Sequence, residues 1–161
     1  MTTIKKSVQR VQDALLQYGI QTNIVEFSEL TRTSQEAATA IGCELGQIAK
    51  TLIFKGKASD KPLCVIASGA NRVDEKKIAQ IIGEAIERPD ADFVEKHTAY
   101  AIGGVSPVGF TFEYQTLIDQ DLMQYAEIWA AAGTHNAVFK LTLEELVQIT
   151  NGSVVAVKKD S

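Results

Sequence analysis

The stretch Lys50-Thr51-Leu52-Ile53-Phe54-Lys55-Gly56-Lys57-Ala58-Ser59-Asp60-Lys61-Pro62-Leu63-Cys64-Val65-Ile66-Ala67-Ser68 decides the fold. Its two ends are short apolar runs rich in β-formers. Between them, residues 57–62 are polar and end on a proline, as turns do. Residues 50–55 and 63–68 therefore predict two buried strands paired as a hairpin.

The rest of the chain mixes helices with further strands. Upstream, Val8, Val11, Leu15 and Tyr18 recur at helical spacing, with Ser7 as the expected N-cap and Gly19 as the stop. Residues 21–27 alternate and predict a strand. Thr33-Ser34-Gln35-Glu36 fits a capping box, opening a helix that Gly42 closes. Residues 44–49 predict one more helical turn. Downstream, Asp74 is placed to cap a helix through Ile78, Ile81 and Ile82 that ends at Gly83, and residues 92–96 predict a short helix. Residues 98–110 hold Gly103, Gly104, Pro107 and Gly109 and predict a structured loop. Strands follow at residues 116–118, 127–131 and 137–141, then a helix capped by Thr142, then a closing strand at 154–157. No repeat or linker interrupts the chain, so residues 1–161 are expected to form a single domain. The class is α+β (mixed α/β), with a partly antiparallel sheet.

Composition narrows the function. The chain has 161 residues, 45% of them hydrophobic, and a formal charge of −4. That charge argues against a non-specific nucleic-acid coat and leaves room for a small basic pocket. No apolar run is long enough to span a bilayer, and no apolar leader opens the chain, so a cytoplasmic protein is expected. Cys43 and Cys64 form no CxxC and have no histidine at zinc-finger spacing. With two histidines and no clustered carboxylates, neither a metal nor another cofactor is expected. No GxGxxG or P-loop occurs.

Three places could carry chemistry. Lys50 starts an apolar strand, where its ammonium meets a phosphate or carboxylate, or simply caps the sheet edge. Gly103-Gly104-Val105-Ser106-Pro107-Val108-Gly109 permits close backbone approach, so its N–H groups can face a carbonyl oxygen; a tight strand connection is the alternative. Ser106 lies in no GxSxG elbow. Gly133-Thr134-His135-Asn136 reads as a hairpin tip presenting a hydroxyl, an imidazole and an amide, or as an ordinary polar turn.

These segments together resemble the YbaK/prolyl-tRNA-synthetase-associated domain family. The likeness runs through Ile48-Ala49-Lys50-Thr51-Leu52-Ile53-Phe54, Ala67-Ser68-Gly69, residues 74–79 and residues 100–109, and continues through residues 128–149. A K-T-L strand start followed about fifty residues later by G-G-x-S-P-x-G is its specific part. The resemblance implies a curled, mostly antiparallel mixed sheet, partly barrel-like, surrounded by helices. It implies a free-standing deacylase of mischarged tRNA, tRNA(Pro) or a related tRNA carrying Ala, Cys, Ser or Thr. Its partners would be the aminoacyl-tRNA 3′ end and a synthetase, with no membrane or DNA. Lys50 matches the family lysine that holds the tRNA 3′ end, and Gly103 to Pro107 matches the loop that positions the ester carbonyl. Gly103 and Gly104 would then supply oxyanion donors. Thr51, Ser106, Pro107, Gly133, Thr134 and His135 would contact substrate.

The chain departs from the cysteine-specific members at Ala131-Ala132-Gly133-Thr134-His135-Asn136, where they carry an S-G-G-like turn. That counts against a cysteinyl substrate. His135 is left as a water-orienting group, a tRNA-end contact or an exposed turn residue. A non-catalytic module that binds tRNA ends or a synthetase is the alternative function. An acidic protein needs a local basic mouth for either role. Lys50, Lys55 and Lys57, with Arg72, Lys76 and Lys77, are the residues expected to converge on it.

Overall fold

The computed structural model describes residues 3–27, 33–101, 104–110, 115–134 and 136–160. In chain order the elements are α1 (Thr3–Gln17), β1 (Ile24–Glu26), α2 (Ser34–Ile41), β2 (Ile48–Gly56), β3 (Pro62–Ser68), α3 (Glu75–Ile82), β4 (Ile86–Glu87), α4 (Ala91–Thr98), β5 (Thr116–Asp119), β6 (Ile128–Ala131), β7 (Ala137–Leu141), α5 (Leu143–Thr150) and β8 (Ser153–Val155). The hairpin forms where the sequence marks it: β2 and β3 pair antiparallel, with Leu52 opposite Val65.

The strands join one 8-stranded sheet in the order β1-β7-β6-β2-β3-β5-β8, with β4 on β2 off that path. The pairs β1/β7, β6/β7, β2/β3 and β2/β4 are antiparallel. The pairs β2/β6, β3/β5 and β5/β8 are parallel. The mixed α/β class is as read. The curl does not close into a barrel, because β1 and β8 remain its outer strands.

Capping fixes the helix ends. The Thr33 hydroxyl accepts from the Glu36 N–H at 3.1 Å, Asp74 accepts from the Lys76 and Lys77 amides, and Thr142 and Glu145 complete a capping box. Gly42 and Gly83 end α2 and α3 at φ of 84° and 87°, where a side chain would be strained. α1 starts at Thr3, upstream of the expected cap, since Lys5 and Lys6 are good helix formers and Ser7 falls inside the helix. β4 and the 3₁₀ turn over Gln120–Gln124 escaped the sequence reading. The strand has only two residues, too few for a period to register.

Alternate side chains of β2 and β3 enter two cores, which explains their unbroken apolar runs. Ala49, Ile53, Cys64 and Ile66 pack with α1, α4 and α5 through Val11, Val94 and Leu146. Phe54, Leu63, Val65 and Leu117 pack beneath Ile78 of α3. Asp119, with no exposed surface, ties the sheet together at the end of β5. It accepts from the Ser68 N–H at 3.0 Å, the Asn71 Nδ2 at 2.8 Å and the Asp121 N–H at 2.9 Å. Asp119→Ala is expected to destabilise the fold by about 1–3 kcal/mol for each buried donor it strands. Urea unfolding with an unchanged m-value would measure this.

Candidate active site in a gap of the sheet

Strand β2 is the hub of the sheet, and one of its edges is incomplete. The Gly69 N–H donates to the Ile48 carbonyl at 2.7 Å, whereas the Cys64 N–H turns away from β2 to the Gln115 carbonyl at 3.0 Å. Backbone direction alternates along a strand. Ile48, Lys50, Leu52 and Phe54 therefore direct their amides and carbonyls to β3, and Thr51 and Ile53 direct theirs to the opposite edge. On that edge β6 pairs only with Ile48 and Ala49. β4 pairs only with Lys55 and Gly56. Between them the edge is open.

A cavity of about 350 Å³ lies at this gap. That is the size of a small-molecule site. Ala49, Thr51 and Ile53 line it together with Val94 of α4, Val105 of the glycine loop, and Ala130, Ala137 and Val138 of the neighbouring strands. Lys50, Arg88, Trp129 and Thr134 also line it. The lining is largely apolar, with small side chains at Ala49, Ala130 and Ala137 and larger ones at Ile53, Phe54 and Trp129.

Lys50 is half-buried. Burial holds its pKa below the ordinary lysine value; the guanidiniums of Arg88 and Arg72 push the same way, and Asp119 opposes them. Lys50 stands opposite Ala67. The β3/β5 register, continued one step past Ile66 and Ile118, sets Asp119 beyond that small side chain. Asp119 is engaged by its own donors, and Lys50 makes no ion pair or hydrogen bond with the described residues. Its charge is thus available to an anionic ligand.

The glycine loop packs onto the hairpin tip. A Cβ on Gly104 would stand 2.9 Å from the Thr134 Cα, so glycine permits this contact. The Gly104 N–H donates to the Ala101 carbonyl at 3.0 Å. The N–H groups of Val105, Ser106, Val108 and Gly109 make no backbone hydrogen bond with the described residues. Ser106 and Pro107 are buried behind Val105 and do not line the cavity. Gly133 turns the tip at φ 94°, against the backbone of Ser7. Gly103 and His135 lie outside the described residues.

The site therefore unites Lys50, Thr51 and Thr134 directly, and Gly104 through Thr134. The expected basic mouth is narrower than the sequence indicated. Lys55, Lys57, Lys76 and Lys77 do not line the cavity. Lys55 pairs with Asp60 at 3.5 Å, and Lys77 with Asp160 at 3.2 Å. Arg88, which sequence reasoning missed, takes their place.

Other supports were also missed. The buried Tyr100 donates its hydroxyl to the Val108 carbonyl at 2.6 Å. Arg10 of α1 lies 4.0 Å over the Tyr100 ring and donates to the Ala99 carbonyl at 2.9 Å. Asn136 donates to the Phe27 carbonyl at 2.9 Å and accepts from Thr134 at 2.9 Å, pinning the hairpin tip to the end of β1. The contacts of Arg10 with Ala99 and of Asn136 with Phe27 are long-range and have no local sequence signal. The thiols stand apart from the chemistry: burial pushes Cys64 up to about 12, and burial also raises Cys43.

A mixed α/β protein with a small apolar cavity at a sheet gap and one lysine at its rim defines a class of small-substrate binding domain. The comparisons give the family. The aminoacyl-tRNA editing domain model matches residues 28–149, so the chain belongs to that family. A crystal structure provisionally assigned as a trans-editing enzyme for prolyl-tRNA synthetase superposes with a TM-score of 0.91 at 37% identity, covering 99% of each chain. The uncharacterised YwhH of Bacillus subtilis (strain 168) is 30% identical over 148 residues, covering 92% of this chain and 94% of that protein. EbsC of Enterococcus faecalis (strain ATCC 700802 / V583), provisionally assigned as a Cys-tRNA(Pro)/Cys-tRNA(Cys) deacylase, is 29% identical over 154 residues, covering 92% of this chain and 93% of that one.

Tyr100→Phe is expected to strand the buried Val108 carbonyl, at a cost of about 1–3 kcal/mol. Each kcal/mol lowers Tm by roughly 2–4 °C in a domain of this size, which calorimetry resolves. Iodoacetamide at pH 8 should leave Cys64 unmodified in the native protein and alkylate it after unfolding, as mass spectrometry of the digested protein would report.

Proposed function

We propose that this chain is a free-standing, cytoplasmic aminoacyl-tRNA deacylase that hydrolyses mischarged tRNA in trans. The substrate is the ester of tRNA(Pro) or a related tRNA with a small amino acid such as Ala, Cys, Ser or Thr. The observation that carries this reading is the meeting of Lys50, which has no ion pair among the described residues, with Val105 of the glycine loop at a small, largely apolar cavity on one strand edge.

An aminoacyl ester is already activated, so positioning and charge stabilisation suffice and no protein nucleophile is required. Lys50 holds the anionic 3′ end of the tRNA. The loop formed by Gly103 to Pro107 positions the ester carbonyl, with Val105 its described residue at the cavity. Water attacks the carbonyl carbon, the developing oxyanion is met by backbone N–H groups, and the 3′-terminal ribose hydroxyl leaves with a proton. For a cysteinyl ester the substrate's own thiol is the internal nucleophile. Thr134 contacts the aminoacyl group, with His135 beside it in sequence. Ala49, Ala130 and Ala137 leave room for a small side chain. Apolar walls separate substrates one methylene apart by only about 1–3 kcal/mol, so several small amino acids are accepted. A synthetase partner supplies the reading of the tRNA body.

The test is a panel of charged tRNAs incubated with purified protein. Hydrolysis above the spontaneous rate supports the proposal; its absence across the panel favours a non-catalytic binding module. Lys50→Ala is expected to lower kcat/KM by about tenfold or more with little change in Tm. Lys50 attracts an anion only while protonated. Because its pKa is lowered, that attraction is full at low pH and fades as pH rises through the lowered value, sooner than for an exposed lysine. KM should therefore rise toward alkaline pH, after correction for spontaneous hydrolysis, and Lys50→Arg should remove that rise.

A further inference from the structure

We propose that the open edge of β2 is a seat for an adenine ring, with the Thr51 carbonyl and the Ile53 amide as its hydrogen-bonding partners. The inference rests on the deacylase reading, since every such substrate ends in adenosine, and it assigns the base a place which that reading leaves open.

A strand edge presents the carbonyl of one residue and the N–H of the residue two further on side by side. Here these groups belong to Thr51 and Ile53. Neither has a partner among the described strands, since β6 stops at Ala49 and β4 begins at Lys55. Unpaired backbone groups inside a protein need water or a ligand. The window is too short for an added peptide strand, because β6 and β4 block both ends. A flat heterocycle with a donor beside an acceptor fits it. Adenine offers that pair: its N6 amino group would donate to the Thr51 carbonyl, and its N1 would accept from the Ile53 N–H. Apolar side chains flank such a ring, Leu52 from one face of the sheet and Val94 and Val105 from the other. Lys50 adjoins the pair and meets the anionic part of the same nucleotide.

Inosine tests this by reversing both groups. Its N1 carries a proton and would oppose the Ile53 N–H, and its O6 would oppose the Thr51 carbonyl. The ¹⁵N-labelled full chain would be titrated with adenosine monophosphate and with inosine monophosphate. The seat predicts a shift of the Ile53 amide resonance with the adenine nucleotide and binding weaker by roughly tenfold or more with the inosine nucleotide. Equal affinities, no binding of the adenine nucleotide at millimolar concentration, or binding that leaves Ile53 unshifted would each overturn it.

Charged RNA minihelices ending in adenosine or inosine separate this proposal from the one beneath it. A KM at least about tenfold higher for the inosine end supports the seat. Equal rates overturn the seat and leave the deacylase reading standing. Hydrolysis of neither overturns the deacylase reading, and the nucleotide titration still decides the seat. Tighter binding of the free adenine nucleotide than of the uncharged minihelix would overturn the assignment to an RNA end.

Discussion

Because β6 leaves β2 after Ala49 and β4 rejoins it only at Lys55, the hub of this sheet leaves the backbone groups of Thr51 and Ile53 without a partner among the described strands. Most sheets cover or shorten such edges, since an open one invites other chains. Here the gap is short and is closed at both ends. The cavity, the place of Lys50 at its rim and the packing of the glycine loop all follow from that interruption. A continuous β6/β2 ladder would fill the space with a strand and leave Lys50 as a surface residue.

Holding a gap open requires bracing around it. On one side Asp119 locks Ser68 and Asn71, so that the end of β3 beside Lys50 cannot fray. On the other, α1 backs both connections at once. Its Arg10 clamps Tyr100 and through it the loop at Val108, while its Ser7 backbone abuts the Gly133 turn. Asn136 fastens the same turn to Phe27. The chemistry is assigned to few groups, and most of the structure around it fixes their positions.

The hairpin and the capped helices were legible because their signals are local. The Thr33, Asp74 and Thr142 caps and the apolar runs of β2 and β3 each lie within a few residues. Lys50 and the glycine loop were legible as candidates by their motif, and the cavity joins Lys50 to Val105. The gap itself was not legible. It depends on where β6 stops pairing with a strand some eighty residues upstream, and no residue type marks that point. Arg88 was missed for the same reason: its proximity to Lys50 arises from the short β4 strand, which brings that segment back to β2. Of the lysines favoured in its place, Lys55 on β2 pairs with Asp60 and Lys77 on α3 with Asp160.

The central claim is that the gap beside Lys50 receives the aminoacyl end of a tRNA. A crystal structure with a non-hydrolysable 3′-alanylamino-3′-deoxyadenosine tests it most directly. The account predicts the analogue in this cavity, with its carbonyl oxygen toward the loop amides and its alanyl group clear of the Thr51–Ile53 edge that seats the adenine. Density for the analogue elsewhere on the protein, with this cavity empty, would contradict it.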